Sequence, residues 1–386
     1  MKYSFIRKFV FNIFALCALS LLFSSCGGGN GNVFFISGDT LDIRYASHLQ
    51  IVEGNDYTVV NLRNPWDTLQ ILHTYVLVPR DGVYNTDSLP EGTMVRVPLQ
   101  RSVIYTAVHC GLVEELGTID AVIGVCDAQY IHQPEVSIRI VDGCIKDLGN
   151  SMSPNVESMI DLRPDAVLLS PFENSGGYGR IDRLGIPIIE CADYMETSAL
   201  GRAEWVRFYG RLYGCADKAD SLFVSVEASY NALKQKAQTC EKQPTVFADL
   251  PVGHSAWYVS GGGSTIGRMY ADAGAHYLFS QNESSGSVPY SFETIYEKAR
   301  EADIWLIRYN ALQDYTYRSL AAEYEPYTHF EAFRNKTMYG CNTAYSRFYD
   351  EVPFHPERLL AEFVCIFHPE LCTESIDTLR YYAPLK

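Results

Sequence analysis

From Arg101 onward, short apolar runs alternate with segments of helical periodicity. The runs that predict strands cover 103–105, 121–125, 166–169 and 186–189, and the segments that predict helices cover 107–116, 153–162 and 181–184. Each run is continuously apolar, which is typical of strands that helices cover on both faces. We therefore predict a parallel α/β lobe, with Ser153 as the N-cap of the helix that ends at Leu162.

This alternation stops between Ser198 and Thr239 and then resumes. Within the interval, large apolar residues recur at helical spacing with a break at Gly214, which predicts a long helical connector. Beyond it, strands are expected at 245–248, 257–259, 304–307 and 337–339, and helices from 264, from 292 and over 356–367. The pattern predicts an α/β fold with two Rossmann-like lobes, whose central sheets are flanked by helices and joined by one long helix.

A different pattern precedes the first lobe. Residues 57–61 and 69–78 alternate between apolar and polar positions without a helical period, which predicts a small N-terminal β extension. At the start of the chain, basic residues precede an apolar run over 9–23, which is typical of a secretory signal.

The signal is followed by Ser24, Ser25 and Cys26, which resemble a bacterial lipobox with Cys26 as the lipidated residue. Phe23 stands where a lipobox usually has Leu, so an ordinary signal peptidase site remains an alternative. The expected organisation is a signal at 1–26, the β extension at 27–98, the first lobe at 99–197, the bridging helix at 198–240 and the second lobe at 241–386.

Charge and cysteine content narrow the functional class. The formal net charge of −15 argues against nucleic acid as a partner, because phosphate-rich surfaces require basic patches. Of the 11 cysteines, Cys17 and Cys26 fall in the signal, and the remaining odd number contains no C-x-x-C pair. A disulfide scaffold is therefore not expected, although a bridge between Cys365 and Cys372 is left open.

Motifs for catalysis or metal binding are not found in the sequence. The glycines at 261–263 are followed by Ser264 and lack the lysine of a phosphate-binding loop. The nine histidines have no zinc-protease spacing, and no G-x-S-x-G elbow occurs. We expect no enzymatic activity, no cofactor and no metal site.

Aromatic residues, in contrast, are abundant just beyond predicted strand ends. Examples are Tyr130, Phe172, Tyr309 and Tyr345. Ligands of parallel sheets bind beyond the carboxyl ends of the strands, and aromatic walls there suit a large planar or hydrophobic ligand. Packing in the core or display on the surface is an equally good explanation of any single ring.

The chain from Arg101 resembles the substrate-binding proteins of iron-siderophore, haem and cobalamin ABC importers, whose lobes are joined by one rigid helix. The resemblance is carried by Leu116-Gly-x-x-Asp120, Glu157 through Leu162-Arg-Pro-Asp165, Gly185-Ile-Pro187, Ser260-Gly-Gly-Gly263 with Asp272-Ala-Gly274, and Ser291-Phe-Glu293. The ending over 355–371 and the β extension look like the version found in lipoproteins of Bacteroides-type bacteria.

This resemblance implies a periplasmic, lipid-anchored and monomeric protein that captures one metal chelate and delivers it to an ABC permease dimer with its ATPase. Glu157 and Glu293, each at the start of a helix that feeds a strand, match the glutamates that dock onto permease arginines. The ligand is expected to be cobalamin, haem or a ferric siderophore, with a slight preference for cobalamin. The expected contacts are Tyr130, His132, Phe172, Trp257, Tyr258, Tyr290, Tyr309, Asn342, Tyr345 and Arg347.

Two other classes of function remain open on the sequence. One is an enzyme or metal-cluster scaffold built on the same lobes, which would need a titrating acid or base in the cleft. The other is a surface lipoprotein that binds another protein. For Glu157 and Glu293, simple pairing with the helix dipole is the alternative explanation.

Overall fold

The computed structural model describes residues 38–85, 88–173, 177–252, 256–372 and 376–386. Cys26 and the predicted signal lie outside the described residues. In the part of the chain that is described, no helix has the length and apolar content needed to cross a membrane.

The β extension is a sheet of five strands that lie side by side in chain order. Neighbouring strands are antiparallel except for the last pair, which is parallel. The alternation in the sequence corresponds to burial, since Val60 and Leu62 are fully buried while Asn61 between them is not. The strands are β1 Asp39–Thr40, β2 Leu49–Glu53, β3 Thr58–Arg63, β4 Ile71–Pro79 and β5 Thr93–Val97.

The first lobe is built on a parallel sheet in the order β10-β9-β6-β7-β8. Its strands are β6 Ser102–Ile104, β7 Val122–Val125, β8 Lys146–Asp147, β9 Ala166–Leu169 and β10 Ile188–Glu190. Its helices are α1 Ala107–Leu116, α2 Pro134–Val141 and α3 Val156–Leu162. The continuous apolar run of β9 is buried at every position, as expected for a strand covered on both faces.

The connector differs from the expected single helix. It consists of α4 Ala199–Glu204, α5 Val206–Leu212 and α6 Ala216–Gln238, of which only α6 is long. The break is caused by Gly214, which has φ of 70°, and by a tight turn in which a Cβ at Gly210 would lie 2.3 Å from the Cβ of Ala219. The sequence pattern marks a break at Gly214, but helical spacing resumes beyond it, so the pattern predicted one helical connector and did not separate the helices.

The second lobe carries a sheet in the order β14-β11-β16-β17-β18, parallel except for the edge strand β18, and a three-stranded antiparallel sheet in the order β12-β13-β15. Its strands are β11 Thr245–Ala248, β12 Pro251–Val252, β13 Ala256–Ser260, β14 His276–Tyr277, β15 Ser287–Tyr290, β16 Ile304–Tyr309, β17 Met338–Asn342 and β18 Ala383–Pro384. Its helices are α7 Thr265–Asp272, α8 Phe292–Ala299, α9 Tyr317–Glu323, α10 Glu331–Arg334, α11 Phe348–Glu351 and α12 Pro356–Phe367.

Side-chain caps fix where several helices begin. Thr106 caps α1 by accepting from the backbone N–H of His109, Ser264 caps α7 and Ser291 caps α8 in the same way. The N-cap of α3 is Asn155 rather than the expected Ser153. The helix therefore begins two residues later than predicted. At its other end, Arg163 takes the left-handed conformation and ends α3 before β9 begins.

Two buried glutamates join the β extension to the connector. Glu204 accepts from the backbone N–H groups of residues 44, 45 and 46 at 3.0, 2.7 and 2.9 Å. Glu196 accepts from the backbone N–H groups of Ser47 and His48, both at 3.0 Å, and from the indole N–H of Trp205. Charge-assisted bonds of this kind are the stronger class of hydrogen bond, so segment 44–48 is held firmly against the helices.

Candidate functional site

The two lobes meet along α1 and α11. Gly111 of α1 lies so close to the second lobe that a Cβ there would be 2.9 Å from the backbone oxygen of Asp350. Beside this contact, Arg347 Nη2 lies 3.0 Å from Glu114 Oε2, and His355 Nε2 lies 3.6 Å from Glu115 Oε2. The lobes are therefore joined by backbone packing and by ion pairs that cross between them.

A cavity of about 170 Å³ lies at this junction. The first lobe contributes Val108, the connector contributes Ala199 and Arg202, and the second lobe contributes the remaining wall. That remaining wall is formed by Thr265, Ile266, Met269, Arg308, Phe348, Tyr349, Val352, Pro353 and Pro356. A cavity enclosed by both lobes and their connector is the place where a fold of this type can hold a ligand.

Two arginines give this cavity its polarity. Arg308, at the end of β16, lies 3.9 Å from the carboxylate of Asp249 and 5.2 Å from the ring centroid of Phe348. Burial acts to lower the pKa of Arg308, but Asp249 and nearby tyrosines raise it above its ordinary value, so the side chain stays charged. Burial raises the pKa of Asp249, while the charge of Arg308 acts to lower it.

The second arginine, Arg202, is bound to a buried network beneath the cavity. Asp193 accepts from Arg202 Nε at 3.0 Å, from the Tyr209 hydroxyl at 2.9 Å and from His109 Nε2 at 3.0 Å. Burial opposes ionisation of both members of the His109–Asp193 pair. Cys191 and Asp193 nevertheless raise the pKa of His109 to about 10, and His109 and Arg202 lower the pKa of Asp193 to about 2. Two cations thus share one carboxylate at neutral pH.

Two helices begin at the cavity wall. Val108 lies in the first turn of α1, and Thr265 and Ile266 lie in the first turn of α7. The start of a helix carries a partial positive charge, which adds to the charge of the arginines. The electrostatics of the cavity therefore favour an anionic group.

Two further cavities are found beside the junction. One of about 340 Å³ is lined largely by charged residues, with Arg347, Arg358 and Arg380 opposite Glu114, Glu115 and Glu351. Another of about 320 Å³ lies within the second lobe and is lined by Tyr309, Asn342 and Tyr345 among others. The first of these is filled with mutually paired charges, as the contacts of Arg380 and Arg347 with Glu351 illustrate.

The expected ligand contacts do not gather in one place. Tyr309, Asn342 and Tyr345 share the cavity of the second lobe, and Arg347 lines the charged cavity at the junction. All ten expected contacts are described residues, and none of them lines the 170 Å³ cavity. Exposed side chains among them are Tyr130, His132, Phe172, Tyr258 and Tyr345.

Trp257 is the expected ligand contact that the structure contradicts most clearly. Its side chain is fully buried, its indole N–H donates to the backbone oxygen of Ala248, and its ring packs against Phe247 and Trp305. The expectation that Trp257 contacts a ligand is wrong for this structure, because the ring is part of the core of the second lobe.

Several other expected contacts have structural roles. Asn342 is 7% exposed, and its amide group bonds to the backbone of Ala311 and to Asp314. The ring of Tyr309 stacks on Tyr315 with the centroids 4.3 Å apart. Tyr290 accepts a hydrogen bond from Asn282 and packs against Phe279. These contacts hold loops of the second lobe in place whether or not a ligand is present.

The two glutamates matched to permease docking are both exposed and both lie in the first turn of a helix. Glu157 is in α3, which leads into β9, and Glu293 is in α8, which leads into β16. A backbone N–H and then the hydroxyl of the N-cap Ser291 lower the pKa of Glu293 by hydrogen bonding to its carboxylate. Each glutamate therefore lies in the same kind of helix-strand unit, one in each lobe.

The sequence did not single out Arg202, Arg308 and Tyr349, which line the cavity at the lobe junction. Arg308 follows the apolar run of β16 directly, so the rule that ligands meet strand ends would have included it alongside Tyr309. Arg202 lies inside a helix of the connector, where the sequence carries no comparable signal.

Two α/β lobes around a basic cavity, joined through a helical connector, define a binding protein of the bilobal class. Residues 103–345 match the periplasmic binding protein family, to which the chain belongs.

Known relatives and structures agree with this assignment. One uncharacterized lipoprotein of Methanocaldococcus jannaschii is 24% identical over 321 residues, which are 81% of this chain and 80% of that protein. Another from the same organism is 23% identical over 287 residues, which are 72% of this chain and 67% of that protein.

Among solved structures, the TroA-like periplasmic binding protein FepB of Veillonella parvula has a TM-score of 0.57 at 15% identity, covering 76% of this chain and 96% of that one. A periplasmic heme-binding protein of Pseudomonas aeruginosa has a TM-score of 0.57 at 15% identity, covering 74% and 98%. At this level of identity the two structures establish a shared fold.

Proposed function

We propose that the protein captures an anionic metal chelate between its lobes and delivers it to the permease of an ABC importer. The observation that carries the proposal is the cavity at the lobe junction, where Arg202 and Arg308 line a wall that contains residues from both lobes and the connector. Haem, with its propionates, and carboxylate-bearing siderophores have acidic groups that could face these two arginines. Cobalamin remains a candidate, but its ring carries amides in place of these acids.

Cavity size determines how such a ligand would sit. Sites for drug-sized ligands usually enclose about 300–1,000 Å³. The cavity of about 170 Å³ is smaller and fits one acidic arm. The ring of the chelate would then lie over the opening, where the half-exposed side chain of Tyr349 offers a surface for stacking.

What the similar proteins bind supports the class of ligand. One solved structure with the same fold is a heme-binding protein, and another, from Saccharomonospora viridis, belongs to an Fe³⁺-hydroxamate transport system. Of the expected contacts, Tyr130, His132, Phe172, Tyr258 and Tyr345 remain proposed, because their side chains are exposed and available to a bulky ligand.

Glu157 and Glu293 are the proposed docking residues for the permease. Both are exposed and occupy equivalent positions in the two lobes. Paired acidic groups on two rigid bodies would orient the complex on a basic partner and raise the rate of association. We also propose that Cys26 is lipidated, a proposal supported by the two archaeal relatives that are named lipoproteins.

Titration of the purified protein tests the proposal. Haemin, a carboxylate siderophore loaded with Fe³⁺, a hydroxamate siderophore loaded with Fe³⁺ and cobalamin would each be added while tryptophan fluorescence and heat are recorded. We expect saturable binding of one chelate at one per chain, tighter for ligands with free carboxylates. Absence of binding for all four at micromolar concentration would refute the capture of a metal chelate.

A further inference from the structure

Cys240, His368 and Glu370 come together at the end of the connector, away from the lobe junction. Among the described residues, each of the three offers one ligand atom, and these atoms all lie within 4.8 Å of one another. Cys240 follows the C-terminal end of α6, and the other two lie in the turn after α12. A thiol, an imidazole and a carboxylate are the three side chains that bind zinc in proteins.

The spacing of these atoms is close to that of a tetrahedral site. Cys240 Sγ lies 3.8 Å from Glu370 Oε1, and His368 Nδ1 lies 3.8 Å from the same oxygen. With Zn–S of about 2.3 Å and Zn–N or Zn–O of about 2.0–2.1 Å, the edges of a tetrahedron are about 3.3–3.6 Å long. The two edges that end at Glu370 are therefore within a few tenths of an ångström of tetrahedral geometry, and the edge between Cys240 and His368, which is within 4.8 Å, would have to shorten by up to about 1 Å.

The backbone on both sides of the cluster is fixed. The Cys365–Cys372 disulfide closes the segment that contains His368 and Glu370. Lys236 Nζ donates to the backbone oxygen of Leu371 at 3.0 Å, which ties that segment to α6. The His368 ring is almost fully buried and lies against Gly274, where a Cβ would be 2.6 Å from Nε2. This leaves Nδ1 on the side of Glu370.

We propose that Cys240, His368 and Glu370 bind one divalent transition-metal ion, with zinc preferred, and that water completes the coordination. The mixed S, N and O ligands favour zinc over magnesium or calcium, which prefer oxygen alone. The ion would connect the end of α6 to the turn after α12 and so stabilise the second lobe. The site is separate from the proposed chelate cavity, so its occupancy does not depend on the solute.

The test is a titration of the purified full chain with Zn²⁺ alone, in competition with a chromophoric chelator and without thiol reductants, so that the disulfide stays closed. Cys240→Ser and Glu370→Gln are the informative variants, since both residues are partly or largely exposed and their replacement leaves the core intact. Cys144→Ser is the matched control, because Cys144 is an exposed free cysteine elsewhere.

We expect one zinc per chain in the unaltered protein and in the Cys144→Ser variant. Cys240→Ser should weaken zinc binding by more than about 100-fold, because a direct ligand contributes at least as much as an outer-shell partner. Co²⁺ should add a thiolate-to-metal absorption band that Cys240→Ser abolishes. Equal zinc affinity in the unaltered protein and the Cys240→Ser variant, or no stoichiometric uptake, would overturn the proposal.

Discussion

Arg347 and Glu114 form an ion pair of 3.0 Å that crosses from the second lobe to the first. Both side chains are partly exposed, at 34% and 25%, and Arg347 Nε also faces Glu351 at 3.4 Å. The pair lies beside the close packing of Gly111 against residue 350. Any separation of the lobes must therefore break this pair.

Removing the pair should favour separation of the lobes. We expect Glu114→Gln to cost up to about 1 kcal/mol, the range of exposed pairs, and to speed hydrogen exchange in α1 and α11. Hydrogen exchange followed by mass spectrometry measures this directly. Asp120→Asn is the control, because Asp120 pairs with Arg139 within the first lobe. Unchanged exchange in Glu114→Gln would mean that backbone packing alone holds the lobes together.

The buried pair of His109 and Asp193 predicts a large loss of stability. Asp193→Asn leaves the buried His109 and the partly exposed Arg202 without their carboxylate, which should lower the free energy of unfolding by about 3–5 kcal/mol. Urea unfolding measures the loss. Arg139→Gln removes a pair with an exposed acid and should cost about 1 kcal/mol or less. Similar midpoints for the two variants would contradict the role of Asp193.

The same pair predicts how stability depends on pH. The pKa of Asp193 is lowered from 3.8 to about 2, so its contribution is present above pH 3.8 and is lost as the pH falls toward 2. The pKa of His109 is raised from 6.5 to about 10, so its contribution is present below pH 6.5 and is lost as the pH rises toward 10. Unfolding measured across pH should show both losses, and Asp193→Asn should reduce both.

Arg308 is predicted to recognise the acidic group of the ligand. Arg308→Gln should weaken binding of an anionic chelate by about 10- to 100-fold, since a hydrogen bond to a charged group contributes about 1.5–3 kcal/mol. Calorimetry on the chelate identified by titration measures the change. Arg308→Lys, which keeps the charge, should lose less, and the exposed Arg318→Gln is a control from the same lobe. Unchanged affinity of Arg308→Gln for the chelate would show that Arg308 does not bind the acidic group of the ligand.

Charge reversal tests the docking role of the two glutamates. Glu157→Arg with Glu293→Arg should abolish stimulation of the permease ATPase while chelate affinity stays unchanged. Asp217→Arg is the matched control, because Asp217 is also an exposed acid in the first turn of a helix and carries the same cost with the helix dipole. Normal ATPase stimulation by the doubly reversed protein would contradict the docking role and would leave the interaction with the helix dipole as the explanation of these two glutamates.

The fold was largely predictable because its buried strands are short and continuously apolar. The predicted bounds of α1, β9, β11 and α12 agree with the structure. The sequence marked the break at Gly214 but not three separate helices, since helical spacing resumes beyond Gly214 and only the close contact of Gly210 with Ala219 makes the turn tight. Helical period in a sequence does not report how tightly two helices pack.

The site was less predictable than the fold. An aromatic residue at a strand end can face the core or the cleft, and Trp257 faces the core because its indole bonds inside the second lobe. The charge of the cavity depends on Asp193, Arg202 and His109, which come from three separate segments. No short spacing in the sequence joins Cys240 to His368 either, so a search for zinc motifs had nothing to find.

The hydrogen bonds from Glu196 and Glu204 to segment 44–48 have a mechanical consequence. A pull applied upstream of residue 38, as by a tether to a membrane, would reach these carboxylates before it reached either lobe. Part of the load would pass into the short helices of the connector, and part into the first lobe, where Tyr75 and Arg80 of the β extension donate to Ile188 and Asp165.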